Sequence, residues 1–174
     1  MATDLHQPEY LRQSQAERER AQREKAAKVR IRELKVEDAA AVEEMEYQSF
    51  PDPWSQNSIL ETISNPQTIC LLAEKAGKAI GYLFVYTAVD EAEIARIAVV
   101  QEERKQGIGK CLLKALEGIC RKKQIEKLLL DVREGNQAAR AFYKKMAFQE
   151  DGIRKGFYEA PPEDGILMSR QLLR

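Results

Sequence analysis

The spacing of apolar residues changes repeatedly along the chain, from alternation to a period near four and back, and each change predicts an element. Val29 and Ile31 alternate with Arg30 and Arg32, the mark of a short half-buried strand. A helix is predicted from about Glu37 to Gln48, with Ala41, Val42 and Met45 on one side. Phe50-Pro51-Asp52-Pro53-Trp54 must break it, because each proline removes an amide donor and crowds the preceding turn. Ser55 is then an N-cap for a second helix running towards Ser64. Thr68–Lys75 and Lys78–Thr87 are apolar runs around Ala76-Gly77, which predicts a hairpin. Glu93–Val100 reads as another strand. Ile108, Leu112, Leu116, Ile119 and Cys120 then form a stripe at helical spacing within 107–123. Ile125–Val132 is nearly continuously apolar, as expected of a central strand buried on both faces. A helix over Gln137–Met146 and strands over about 149–158 and 166–172 complete the pattern, the last two around a loop Pro161–Gly165. Strands alternating with helices predict an α/β domain over 29–174.

The first 28 residues are different. Nine charges of both signs fall between Arg12 and Lys28 with hardly an apolar side chain among them, which predicts a solvated helical or disordered extension. Glu19 with Arg23 and Arg20 with Glu24 stand at helical spacing. Across the whole chain Lys+Arg and Asp+Glu both number 28, so the basic surplus of a nucleic-acid binder is missing. No run approaches the roughly 20 apolar residues of a membrane span, and a cytoplasmic address is expected.

A single histidine, His6, removes most catalytic triads and the common Cys/His zinc sites, so no metal is expected. Cys70, Cys111 and Cys120 form no CxxC pair and read as reduced thiols, with Cys111 taken as a packing residue. The chemistry must come from carboxylates, tyrosines, backbone amides or a cofactor.

The informative stretch is Ile97-Ala98-Val99-Val100-Gln101-Glu102-Glu103-Arg104-Lys105-Gln106-Gly107-Ile108-Gly109-Lys110. An apolar strand ends, a polar turn with two glycines follows, and an amphipathic helix begins at once. Glycines there allow close backbone approach and leave N–H groups unpaired at a helix start. With the helix dipole and Arg104, Lys105 and Lys110, those donors suit a pyrophosphate. The Walker pattern is missing, and Leu112 stands where a dinucleotide fingerprint needs its third glycine.

Arg104-x-x-Gly107-x-Gly109 after Ile97-Ala98-Val99 resembles the acetyl-CoA signature of the GNAT acetyltransferase superfamily. The run Leu130-Asp131-Val132-Arg133-Glu134-Gly135-Asn136, followed by Ala141-Phe142-Tyr143 and Phe148, is similar to that family's next block. More narrowly, Phe50-Pro-x-Pro-Trp54-Ser55 and Phe157-Tyr158 with Glu163-Asp164 and Met168 resemble the branch that acetylates the N-terminal alanine of ribosomal proteins. The resemblance implies a mixed, splayed sheet with helices on both faces. It implies acetyl-CoA as cosubstrate, with its pyrophosphate on Arg104, Lys105, Gln106, Gly107, Ile108, Gly109 and Lys110. Ile97, Ala98 and Val99 would lie along its acetyl and pantetheine arm, and Asn136 near it.

Transfer from a thioester to an amine needs a base for the amine, donors for the oxyanion and an acid for the leaving thiolate. The resemblance puts Asp131 where relatives carry a glutamate base, one methylene shorter in reach, with Glu93 as the rival. It makes Tyr143 the general acid; its neighbour Phe142 is expected in the core. Tyr158 and Trp54 would line the peptide groove, although each also suits plain packing. The expected acceptor is a protein N-terminal amine, that of a ribosomal protein. A small-molecule amine or a lysine would use the same machinery, and a non-catalytic CoA-responsive protein is the reading from outside enzymology.

Overall fold

The computed structural model describes residues 14–21 and 28–172. Residues 14–21 form a mostly exposed helical stretch; His6, Arg23 and Glu24 lie outside the described residues. Seven strands follow: β1 (Arg30–Glu33), β2 (Thr68–Lys75), β3 (Lys78–Ala88), β4 (Glu91–Val99), β5 (Lys127–Arg133), β6 (Gln149–Glu159) and β7 (Pro162–Gln171). They make one sheet in the order β1-β2-β3-β4-β5-β7-β6. Only β4 and β5 pair in parallel, and the helix α3 (Ile108–Lys122) supplies the crossover that a parallel pair requires.

Helices α1 (Ala39–Ser49) and α2 (Gln56–Ser64) cover one face. There Val42, Met45 and Ile59 bury against Leu72, Tyr82 and Phe84. On the other face α3 sinks Ile108, Leu112, Leu113, Leu116 and Cys120 against β2, β3 and β4, joined by Tyr143 of α4 (Gln137–Lys145). Cutting a buried leucine of that stripe back to alanine costs about 2–5 kcal/mol, because the cavity relaxes only in part. The local signals act as the pattern predicts. Ala76 and Gly77 both take left-handed backbone, at φ 52° and 74°, in the β2–β3 hairpin. The Ser55 side chain accepts the Ser58 amide at 3.2 Å and starts α2.

Three expectations change. The helix expected at 37–48 opens as a 3-10 turn, Val36–Asp38, and becomes α-helical at Ala39. The final hairpin turns at Ala160-Pro161, not over Pro161–Gly165, because Glu163 pairs with Tyr158 and the ladder runs on almost to the turn. β5 is not buried on both faces: Leu128, Leu130 and Val132 are buried, while Leu129, Asp131 and Arg133 are only half-buried.

The reason lies in β4. β4 and β5 pair over Glu91–Ile94 and Lys127–Leu130 and then part. At the parting point Ile94 opposes Val85 while Arg96 opposes Phe84, so Ala95 is an extra residue in a bulge. Simple alternation would put Arg96 opposite in face to Glu93. The bulge reverses that, and both point to the α1–α2 side.

Candidate active site

Beyond the bulge, β4 keeps β3 on one side and has nothing on the other. Val100 donates to Ile80 at 2.9 Å, so by alternation the backbone groups of Ile97 and Val99 point into the gap that β5 has left. The turn that follows is built of open donors. Lys105 and Gly107 take left-handed backbone, at φ 62° and 80°, and no side chain caps α3. From Lys105 to Lys110 the backbone N–H groups have no acceptor among the described residues. A concave row of such amides at a helix start is an anion site.

The turn is also held from outside. Arg104 Nε donates to the Val99 carbonyl at 2.9 Å. The buried Lys75 ammonium lies 3.1 Å from Glu103, tying the end of β2 to the turn. Gly109 packs closely under Phe142, where a Cβ would stand 3.1 Å from the ring. These residues fit the phosphates of a CoA thioester by the chemistry of their donors.

At the splay a different group of residues gathers, Asp131 from the α1–α2 face of β5 and Tyr143 from the α3 face. Asp131 is nearly buried, and Arg154 Nε stands 3.2 Å from its Oδ1, an ion pair outside hydrogen-bond alignment. That oxygen has no hydrogen-bond donor among the described residues. Burial pushes the Asp131 carboxyl above its ordinary value, and the Arg154 charge offsets this only in part. The Tyr143 ring is buried, and burial raises its phenol well above the usual range, so it stays protonated. Tyr158 is close enough to bear on that phenol as well, so the two tyrosines are neighbours.

Tyr158 adjoins both, its hydroxyl pushed up to about 12 by burial and by Asp131, against Arg133. The Arg133 guanidinium stacks 4.2 Å over the Tyr158 ring and donates to the carbonyls of Ala160 and Pro161, which fixes the β6–β7 hairpin there. From the other side Asp52 and Arg96 are close enough to bear on the Tyr158 hydroxyl.

The structure therefore brings Asp131, Tyr143 and Tyr158 together where β4 and β5 part. Glu93 stands exposed at the paired end of the strands, opposite Leu129 and short of Asp131. Trp54 stacks on Phe84 at 5.4 Å and also edges a polar cleft with Ser58, Glu61, Thr62 and Tyr86. Asn136 caps α4, its side-chain oxygen accepting the Ala139 amide at 3.1 Å.

Two expectations fail here. Phe142 is only half-buried and Tyr143 is the deeper of the pair, because Phe142 lies over Gly109 at the rim while Tyr143 enters the core beside Phe148. Cys111 is exposed, because it stands on the side of α3 away from the sheet. Sequence reasoning missed Asp52, Arg96, Arg133 and Arg154. The bulge hid Arg96, and no local pattern marks the others.

The chain matches the acetyltransferase (GNAT) family over residues 39–148. It belongs to the GNAT acetyltransferases. It is 36% identical, over 142 residues, to a Bacillus subtilis protein provisionally named ribosomal protein bS18-alanine N-acetyltransferase, covering 81% of this chain and 94% of that one. Its fold superposes on the ribosomal-protein-S18-alanine N-acetyltransferase of Escherichia coli with TM-score 0.77 and 27% identity, over 84% of this chain and 96% of that one. Ard1 from Thermoplasma volcanium is similar with TM-score 0.79 and 26% identity, over 84% and 99%.

GNAT acetyltransferases use acetyl-CoA, so this GNAT chain is an N-acetyltransferase with an open-donor turn suited to that cosubstrate. Among the described residues no group of three or more His, Cys, Asp or Glu is placed to hold a metal ion, and no helix is long and apolar enough to cross a membrane.

Proposed function

We propose that this GNAT enzyme acetylates the N-terminal α-amine of a protein, a ribosomal protein of the bS18 kind. The observation that carries the reading is the meeting of Asp131, Tyr143 and Tyr158 at the mouth of the splay, between the Phe50–Trp54 connection and the β6–β7 hairpin. The relatives named for bS18-alanine acetylation support it. Residues 29–174 form the catalytic domain, residues 1–28 are an extension outside the chemistry, and the cytoplasm, where a ribosomal acceptor resides, is the proposed site of action.

Acetyl-CoA supplies the acyl group as a reactive thioester. The amides from Lys105 to Lys110, including Gln106, Gly107, Ile108 and Gly109, hold its pyrophosphate, with Arg104, Lys105 and Lys110 adding positive charge. Ile97 and Val99 present backbone groups to the acyl arm, and Ala98 pairs with Tyr82 to keep that edge rigid. Asn136 shapes the rim as the cap of α4.

An α-amine has a pKa of about 7.7–8.0, so a carboxylate suffices to take its proton. Asp131 does this, directly or through one water. Its raised pKa brings it nearer to that of the amine than an ordinary aspartate would stand. Tyr143, kept protonated by burial, donates to the departing sulfur. Tyr158 and Trp54 line the path of the acceptor. Glu93, exposed and outside the splay, is the weaker candidate for the base.

The deciding measurement is CoA release, with product masses, across free N-terminal Ala peptides, their N-blocked lysine-bearing versions and simple amines. Selective α-acetylation of an Ala peptide is expected. Turnover confined to lysine or small amines would overturn the acceptor assignment. Acetyl-CoA binding without turnover of any amine would overturn catalysis by Asp131 and Tyr143.

A further inference from the structure

The connection between α1 and α2 contains two prolines, and no backbone–backbone hydrogen bond holds Pro51–Trp54 among the described residues. What holds it is one side chain from β4 and one from α1, with Trp54 also stacked on Phe84. Arg96 lies 4.1 Å from the Phe50 ring centroid and 5.3 Å from that of Trp54. Its Nη2 donates to the Asp52 carbonyl at 2.6 Å and stands 3.5 Å from the Asp52 carboxylate. Its Nε lies 3.4 Å from Glu46 and makes no hydrogen bond. Glu46 is fully buried, and its carboxylate accepts the Tyr82 hydroxyl at 2.5 Å and the Trp54 amide at 2.9 Å.

We propose that Arg96 is a positioning residue that sets the acceptor wall, Phe50–Trp54, from the strand that forms the splay. The inference rests on the reading of this face as the acceptor side. A segment without backbone bonds samples many conformations, and ordering it on binding weakens affinity for whatever it contacts. Arg96 does that ordering beforehand. Only a planar guanidinium can lie against two rings while its edge reaches a carbonyl and two carboxylates. Because Arg96 follows the Ala95 bulge directly, the same irregularity that opens the gap for the acyl arm aims the residue that holds the acceptor wall.

The test is Arg96→Lys, which keeps a positive charge beside buried Glu46 and loses the planar stack. The double variant Glu46→Gln with Arg96→Met removes both charges together and guards against loss of folding from an unpaired buried carboxylate. Either is expected to raise the KM for the Ala peptide roughly tenfold, with the KM for acetyl-CoA essentially unchanged. Acrylamide quenching of Trp54, the chain's single tryptophan, should increase in both. Unchanged peptide KM with unchanged quenching, or equal rises in both KM values, would overturn the proposal. If the wild-type enzyme acetylates no peptide, the acceptor reading fails, and unchanged Trp54 quenching would separately show that Arg96 does not order the wall.

Discussion

Two strand–turn–helix units run side by side in this molecule, and their parallel strands reach their turns at the same end of the sheet. The β4–α3 unit leaves its turn open: Gly107 supplies no cap, and the amides from Lys105 to Lys110 await a partner. The β5–α4 unit closes its turn almost completely. Glu134 donates to Asp164 at 3.0 Å, Gly135 to the Glu163 carboxylate at 2.6 Å, and Asn136 caps Ala139. The two share topology and direction, yet only one can bind an anion through its backbone. The closed unit instead presents side chains, Asp131 from its strand and Tyr143 from its helix. A helix start becomes a ligand site through what is left unsatisfied, and the proposed chemistry sits where the backbone has no more to give.

If that division is right, variants in the two units separate by kinetic constant. Tyr143→Phe should lower kcat by about 10²–10⁴-fold, the usual range for a lost acid, with the KM for acetyl-CoA little changed. An unaltered kcat in steady-state assays would remove the phenol from the mechanism.

Asp131→Asn should lower kcat by roughly 100-fold and abolish the acidic limb of the pH–rate profile. It should also stabilise the fold. A carboxyl whose pKa is raised on folding adds stability below its unfolded value near 4, and loses it as pH rises through the folded value. The variant should therefore melt higher than wild type at pH 7, with the difference closing towards pH 3–4. A lower melting temperature at pH 7 would mean that the Arg154 pair outweighs burial.

Gly107→Val should act on the other constant. The added Cβ meets nothing within 4 Å, so the penalty is the left-handed backbone at φ 80°, about 1–2 kcal/mol for a residue with a side chain. Relieving it rotates the amides away, and the KM for acetyl-CoA should rise about tenfold. Retained affinity by calorimetry would show that the turn is not the cofactor site. Asn136→Ala is the smallest change: it removes a cap worth about 1 kcal/mol and should lower the melting temperature while leaving both KM values within about twofold.

The same contrast governs how much of the molecule was legible in its sequence. The open turn is written locally, in Arg104-x-x-Gly107-x-Gly109 between an apolar strand and an amphipathic stripe, so its position follows from spacing alone. The α3 stripe, the Ser55 cap and the Ala76-Gly77 hairpin are local in the same way. The Phe142 and Tyr143 assignment inverted because helical spacing fixes a face and not a depth. The proposed acceptor face joins Glu46, Asp52, Arg96, Asp131 and Tyr158, which only the tertiary fold gathers. Arg96 was further concealed because one inserted residue, Ala95, reverses the alternation on which strand reading depends.

The open turn also sets how freely each half of the enzyme can vary. Its donors are main-chain atoms, so replacing Gln106 or Lys105 alters the local field and leaves the row of amides in place; the backbone shape depends chiefly on Gly107, with its left-handed φ of 80°. The acceptor wall has no such protection. A substitution at Asp52, Trp54 or Arg96 changes the surface itself. A lineage built on this scaffold can hold its cosubstrate through wide divergence while exchanging one amine acceptor for another.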